Sequence, residues 1–181
     1  SPPARKLAVW PDAYYMTINQ FSAISLQWAG QGVIAFDREK MLAGLPATMQ
    51  YMDLAALDIN LGGMLPADLD GPAPPDGSPA YFVQMDDDAW GYSSEDRLQL
   101  WRFDVDWTNP SASTFTGPDL MTTAPFDSDM CDLSRTCIPQ AGTPVRVDAM
   151  ADRLMYRLQY RNFGTHESLV VNHTVDVDGT D

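Results

Sequence analysis

Asp12-Ala13-Tyr14-Tyr15-Met16-Thr17-Ile18-Asn19-Gln20 is the stretch on which the fold turns, because the chain returns to it. Ala80-Tyr81-Phe82-Val83-Gln84-Met85-Asp86-Asp87 repeats it at an offset of 67 residues. Ala13 falls on Ala80, Tyr14 on Tyr81, Met16 on Val83 and Ile18 on Met85. The same offset carries Phe36-Asp37 onto Phe103-Asp104. A weaker third copy, Asp152-Arg153-Leu154-Met155-Tyr156-Arg157-Leu158, follows a further 73 residues on. Each copy alternates apolar with mixed residues at period 2, the pattern of a strand with one buried face. A sheet unit of roughly 70 residues, repeated about two and a half times, predicts an array, and for strands the natural array is a propeller. The expected fold is therefore all-β: a partial β-propeller of about two and a half four-stranded blades from a five-bladed ring. The repeat units span approximately 6–61, 62–126 and 145–181.

Outward from the repeat, Lys6–Trp10 is a short apolar strand stopped by Pro11-Asp12, and Gly32–Phe36 is a buried strand bounded by glycine and charge. Asp37–Gly44 predicts one helical turn ended by Gly44, and Met49–Leu54 an outer strand. Residues 62–79, rich in Pro, Gly and Asp, read as the loop that crosses from one blade to the next. Arg97–Trp107 is a strand ended by Thr108-Asn109-Pro110, since proline has no N–H for a ladder. Residues 110–119 are turn-rich, Leu120–Phe126 is an outer strand, and 127–144 is a second crossing loop. Leu154–Phe163 and Ser168–Val177 pair about the turn at 164–167. A ring needs all its blades, so the expected partner is the remainder of the same propeller, or further copies of this segment.

The 181 residues are 45% apolar, enough for a core. Eleven Lys and Arg face 25 Asp and Glu, a net charge of −14. That surface repels phosphate backbones and anionic lipid, which excludes nucleic acid as a partner and leaves cations and neutral ligands. No apolar run reaches the length of a membrane span, so membrane insertion is not expected. The two cysteines, Cys131 and Cys137, flank a polar turn and read as a small disulfide loop of an extracellular or periplasmic protein.

The candidate site residues come from several places. Asp12 and Asp152 each precede a copy of the repeat strand, where an acid can face the axial channel as a catalytic carboxylate or cap its own turn. Asp86, Asp87 and Asp88, with Asp68 and Asp70 upstream, can collect oxygen ligands for Ca²⁺, or form a solvated acidic loop. Trp28, Trp90 and Tyr92 lie on loops, where aromatics stack on sugar rings or wedge between blades. Arg153, Arg157 and Arg161 share one strand face, and His166-Glu167 marks a turn that can line a ligand site or merely hold the hairpin. Serine nucleophile elbows, phosphate loops and Cys–His pairs are not among the motifs.

Four segments are similar to a known group. These are Val9-Trp10-Pro11-Asp12-Ala13-Tyr14-Tyr15-Met16, Gly32-Val33-Ile34-Ala35-Phe36-Asp37-Arg38, Phe103-Asp104-Val105-Asp106-Trp107 and the run from Tyr160 to His173. They resemble large exported bacterial proteins that look like propellers of the glycosidase or sialidase type. The resemblance implies secretion, a propeller, and sequence continuing on both sides; it supplies no activity and no catalytic residue. Two functions are expected from these readings. One is a secreted module that recognises an extracellular ligand such as a glycan. The alternative is a glycoside hydrolase with paired carboxylates at the axial pocket.

Overall fold

A computed structural model describes residues 5–131 and 136–177. The first antiparallel meander is β1 (Arg5–Val9), β2 (Ala13–Phe21), β3 (Trp28–Asp37) and, after the short helix α1 (Arg38–Leu42), β4 (Met49–Asp53). A second follows as β5 (Leu65–Leu69), β6 (Ala80–Asp86), β7 (Arg97–Asp104) and β8 (Thr114–Thr122). The two strong copies of the repeat are thus β2 and β6, the second strand of each meander. The chain goes on through the hairpin β9 (Thr136–Gln140) and β10 (Thr143–Asp148). It ends in β11 (Leu158–Asn162) and β12 (Glu167–Val170), and β11 lies parallel to β5. The second sheet is therefore mixed and six-stranded, in the order β12-β11-β5-β6-β7-β8. The protein is all-β, as expected.

The period-2 pattern sets which face is buried. Ala13, Tyr15 and Thr17 of β2 point inward, as do Ala80, Phe82 and Gln84 of β6. The inward faces meet in one core: the Tyr15 ring lies 5.7 Å from Phe82, edge-on, and 5.7 Å from Phe103. Trp10, 1% exposed, joins the hairpin of β11 to the same core through Tyr160 at 4.7 Å. The pairing register differs by one residue between the meanders, since Tyr14 faces Phe36 whereas Tyr81 faces Arg102. A one-residue shift turns a side chain to the other face. Phe103 is therefore fully buried, and Phe36, its match in the repeat, is only half-buried.

Several elements differ from expectation. β5 lies inside the segment read as a crossing loop. Its first residues pair with β6 (Leu65 with Val83, Pro66 with Phe82) and its last three with β11. A strand that changes partners halfway and carries a proline gives no alternating pattern. β8 occupies residues read as turn-rich, with Gly117 and Pro118 at a register shift opposite β7. β9 and the first residues of β10 fall in the segment 127–144 read as the second crossing loop, and β10 runs on into the start of the expected third unit. The third copy of the repeat, Asp152–Arg157, is not a strand: the ladder starts at Leu158. β12 stops at Val170, short of Val177.

Candidate functional site

At one end of the two meanders lies an open cleft of about 490 Å³. Its floor is Gly62-Gly63, just before β5, and the sequence pins this segment with polar residues placed on the buried strand faces. Gly62 N–H donates to Gln84 Oε1 at 2.9 Å, Gly63 N–H to Asn19 Oδ1 at 3.3 Å and Met64 N–H to Gln31 Oε1 at 3.4 Å. The Thr17 hydroxyl donates to the Met64 carbonyl at 2.7 Å. Thr17, Gln31 and Gln84 are at most 2% exposed, so these bonds form where unpaired polar groups are costly. The Gln84 amide nitrogen passes the network on to Asp86, 3.0 Å away. The Asp86 carboxylate also accepts from Arg97 Nε at 2.8 Å and Gln99 Nε2 at 2.6 Å. Gln99 Oε1 in turn accepts from the Trp101 indole at 3.1 Å.

The walls are aromatic. Trp28 opens β3; its indole N–H donates to the Ile59 carbonyl at 2.6 Å, and its ring packs edge-on against Phe21 at 5.6 Å. The ring lies so close to Gly62 that an added Cβ would stand 2.9 Å from Cη2, which is why glycine is needed there. Trp90 and Tyr92, from the loop after β6, face each other with ring centroids 5.7 Å apart. Trp28 keeps 38% of its surface exposed and Tyr92 39%, so both offer apolar faces to solvent. Asp152 and Arg153 close the cleft from the stretch before β11. They form a two-point pair, Nε to Oδ1 at 2.7 Å and the terminal nitrogen to Oδ2 at 2.9 Å. Asn19 and Asn60 complete the lining. Burial pushes the Tyr92 phenol up, and the negative charges of Asp86, Asp87, Asp58 and Asp152 push it further.

Trp28, Trp90, Tyr92, Asp152 and Arg153, singled out separately in the sequence, thus share one cleft. The other candidates lie elsewhere. Asp12 lines a different cavity, of about 400 Å³, beside Asp104, Asp106 and the proline-rich loop 73–79. It precedes β2 while the cleft is at that strand's far end, so Asp12 and Asp152 do not converge. Burial raises the Asp12 carboxyl, the Tyr15 hydroxyl donating at 2.9 Å opposes that rise, and the charge of Asp104 adds to it. His166 stacks on Phe163 at 4.9 Å in the β11–β12 turn. The charge of Glu167 adds to burial in pushing the Tyr160 phenol up to about 12.

Among the acids, Asp87, Asp88 and Asp96 bring ligand oxygens within 4.8 Å of one another, a group that can hold a metal ion. Asp86 is not part of it, being fully buried and engaged by Arg97 and two glutamines. Asp68 caps Val9 N–H at 2.8 Å and pairs with Arg157 instead. Asp87 also closes loops by accepting from the Ser128 N–H at 2.8 Å and hydroxyl at 2.6 Å. Asp96 accepts from Phe126 N–H at 2.6 Å. Cys131 and Cys137 form a disulfide around residues 132–135, which lie outside the described residues. Among the described residues no helix is long and apolar enough to cross a membrane.

Sequence reading missed the floor: Thr17, Asn19, Gln31, Gln84 and Gln99. The signal was present, since Thr17 falls on Gln84 and Asn19 on Asp86 at the repeat offset, polar residues on faces otherwise given to Tyr15 and Phe82. Comparison with known proteins adds nothing to this geometry: no family model, curated protein or solved structure matches the chain.

Proposed function

We propose that this chain is a secreted recognition module, built as a propeller-like array of sheets, that binds an extracellular glycan in the aromatic cleft. What carries the reading is the convergence of Trp28, Trp90, Tyr92 and the Asp152–Arg153 pair from three distant parts of the sequence on one open cleft. Exposed aromatic faces take the C–H faces of sugar rings, while a carboxylate and two asparagine side chains serve the hydroxyls. The disulfide agrees with an oxidising compartment. Titration with oligosaccharides, followed by tryptophan fluorescence and calorimetry, tests the proposal. Trp28→Ala and Tyr92→Ala should each weaken binding by about fivefold, corresponding to about 1 kcal/mol for a lost aromatic contact. Unchanged affinity in both variants, or no binding to any oligosaccharide, would remove it.

The alternative, glycoside hydrolysis, attaches to the other cavity. One observation favours it: a carboxyl raised by burial, Asp12, shares that space with a second acid, Asp104. Release of reducing sugar that disappears in Asp12→Asn would support it. The metal reading is finer still: Ca²⁺ sits between Asp87, Asp88 and Asp96 and stiffens the loop that carries Trp90 and Tyr92.

A further inference from the structure

We infer that the aromatic cleft discriminates by charge, rejecting anionic saccharides and preferring those that carry an ammonium group. The inference rests on the reading that the cleft binds carbohydrate, and it names the class. Its basis is which half of the Asp152–Arg153 pair meets the ligand. The Arg153 side chain is only 14% exposed, and Nε and a terminal nitrogen are both held by Asp152. Its stem packs on the floor, where a Cβ on Gly63 would stand 3.3 Å from Arg153 Cβ. The Asp152 side chain is 43% exposed. An incoming ligand therefore finds a carboxylate presented and a guanidinium already used. A site for sialic or uronic acids needs the reverse, a guanidinium with its fork free to take a carboxylate in two-point fashion.

The surrounding charges point the same way. Asp58, Asp86, Asp87 and Asp152 all act on Tyr92 with the same sign. The charge of Asp86 is offset by Arg97 at 2.8 Å, which leaves Asp58 and Asp87, behind the lining, as the acids whose field reaches Tyr92 besides the Asp152–Arg153 pair. Lys6, against the Tyr156 ring at 5.9 Å and outside the cleft lining, has its charged form disfavoured by burial and by Arg153 and favoured by Asp152. A cleft wall of low dielectric focuses such a field on whatever enters. An anionic sugar can still donate its hydroxyls, but its own carboxylate meets repulsion and finds no donor in Asp152. A neutral sugar donates hydroxyls to Asp152, and an amino sugar adds a charge-assisted N–H bond.

The test compares three β-1,4-linked hexasaccharides at low ionic strength by calorimetry: N-acetylglucosamine (neutral), glucosamine (cationic) and glucuronate (anionic). The expected order of affinity is cationic, then neutral, then anionic. The first and last should differ by at least about tenfold, a gap that shrinks in high salt. Asp152→Asn should narrow the gap and also weaken neutral binding, because its carboxylate takes the sugar hydroxyls, whereas Asp58→Asn should narrow the gap while neutral binding persists. Asp58 is exposed, and asparagine can keep its bond from Asn60 N–H, so that variant tests charge without disturbing the fold. Neutral binding with equal or tighter anionic binding overturns the inference and leaves the glycan reading standing. No binding of any of the three overturns both.

Discussion

Replacing Asp86 with alanine tests whether the cleft floor depends on the buried network behind it. The carboxylate is fully buried and accepts from Gln84 at 3.0 Å, Gln99 at 2.6 Å and Arg97 at 2.8 Å. Removing it strands two amide N–H groups on residues that are 2% and 6% exposed, each worth about 1–2 kcal/mol. It also leaves Arg97 without its partner. That side chain keeps 19% of its surface in water, so its loss lies well under the full penalty of a buried unpaired charge, about 1–2 kcal/mol. The expected destabilisation is about 4 kcal/mol, or a fall in melting temperature of about 8–16 °C for a chain of this size. Asp86→Asn keeps one acceptor and should lose about half as much. Urea unfolding followed by tryptophan fluorescence reads both values, with an unchanged slope showing that the folded state is intact. Because Gln84 holds Gly62, sugar affinity should fall in the same variants even at temperatures where they are fully folded. A loss below about 1 kcal/mol in Asp86→Ala would refute the argument that this network is needed.

Three further outcomes follow from named groups. Asp12 is held above its ordinary value of 3.8 by burial, so the folded state keeps a proton that the unfolded chain releases. Its contribution to stability is full below that value and is lost as pH rises through the folded pKa. Asp12→Asn, which still offers Tyr15 an acceptor, should therefore gain on wild type as pH rises above the ordinary value of 3.8; a constant difference would contradict the assignment. The Cys131–Cys137 bond closes a short loop, and reduction should lower stability by about 2 kcal/mol or less. Thiol labelling before reduction would speak against the bond. Adding Ca²⁺ at about 100 times its dissociation constant should raise stability by about 2.7 kcal/mol in wild type and not in Asp88→Asn. No heat and no thermal shift in the metal-stripped protein would show that the three acids only close loops.

What the sequence showed plainly was what one strand can show by itself. β2 buries Ala13, Tyr15 and Thr17 on one face, and β6 buries the matching Ala80, Phe82 and Gln84 together with Val83 and Met85 of its other face, so the shared period and the repeat were legible in Tyr14–Gln20 and Tyr81–Asp87. β5 was hidden because its identity as a strand is a joint property of β6, which takes Leu65 and Pro66, and β11, which takes Ala67 to Leu69. β8 was hidden because its surface is almost wholly exposed, which leaves no alternation for a pattern to follow. Asp152 matched Asp12 by sequence position, yet equivalence along the chain does not survive when the third copy enters its sheet late, at Leu158.

The aromatic cleft was legible residue by residue and not as a site. Trp28, Trp90 and Tyr92 stood out as loop aromatics, but stacking on a ligand and wedging between sheets leave the same trace in a sequence. The deciding information lies in the buried polar residues. Thr17 and Gln84 occupy the same repeat position, and so do Asn19 and Asp86; each pair replaces apolar packing at the cleft end of a core-facing strand. A fold that needed only a core would fill those positions with Val or Leu, avoiding the desolvation of four polar groups. Here three of the four hold the backbone of Gly62–Met64, and Asp86 anchors the amide of Gln84. Gly62 then gives Trp28 its seat, and Gly63 lets Arg153 approach. The polar positions of the repeat thus support the aromatic wall that a ligand meets. Polar residues recurring at one end of otherwise apolar strand faces are the sequence signal for such a floor.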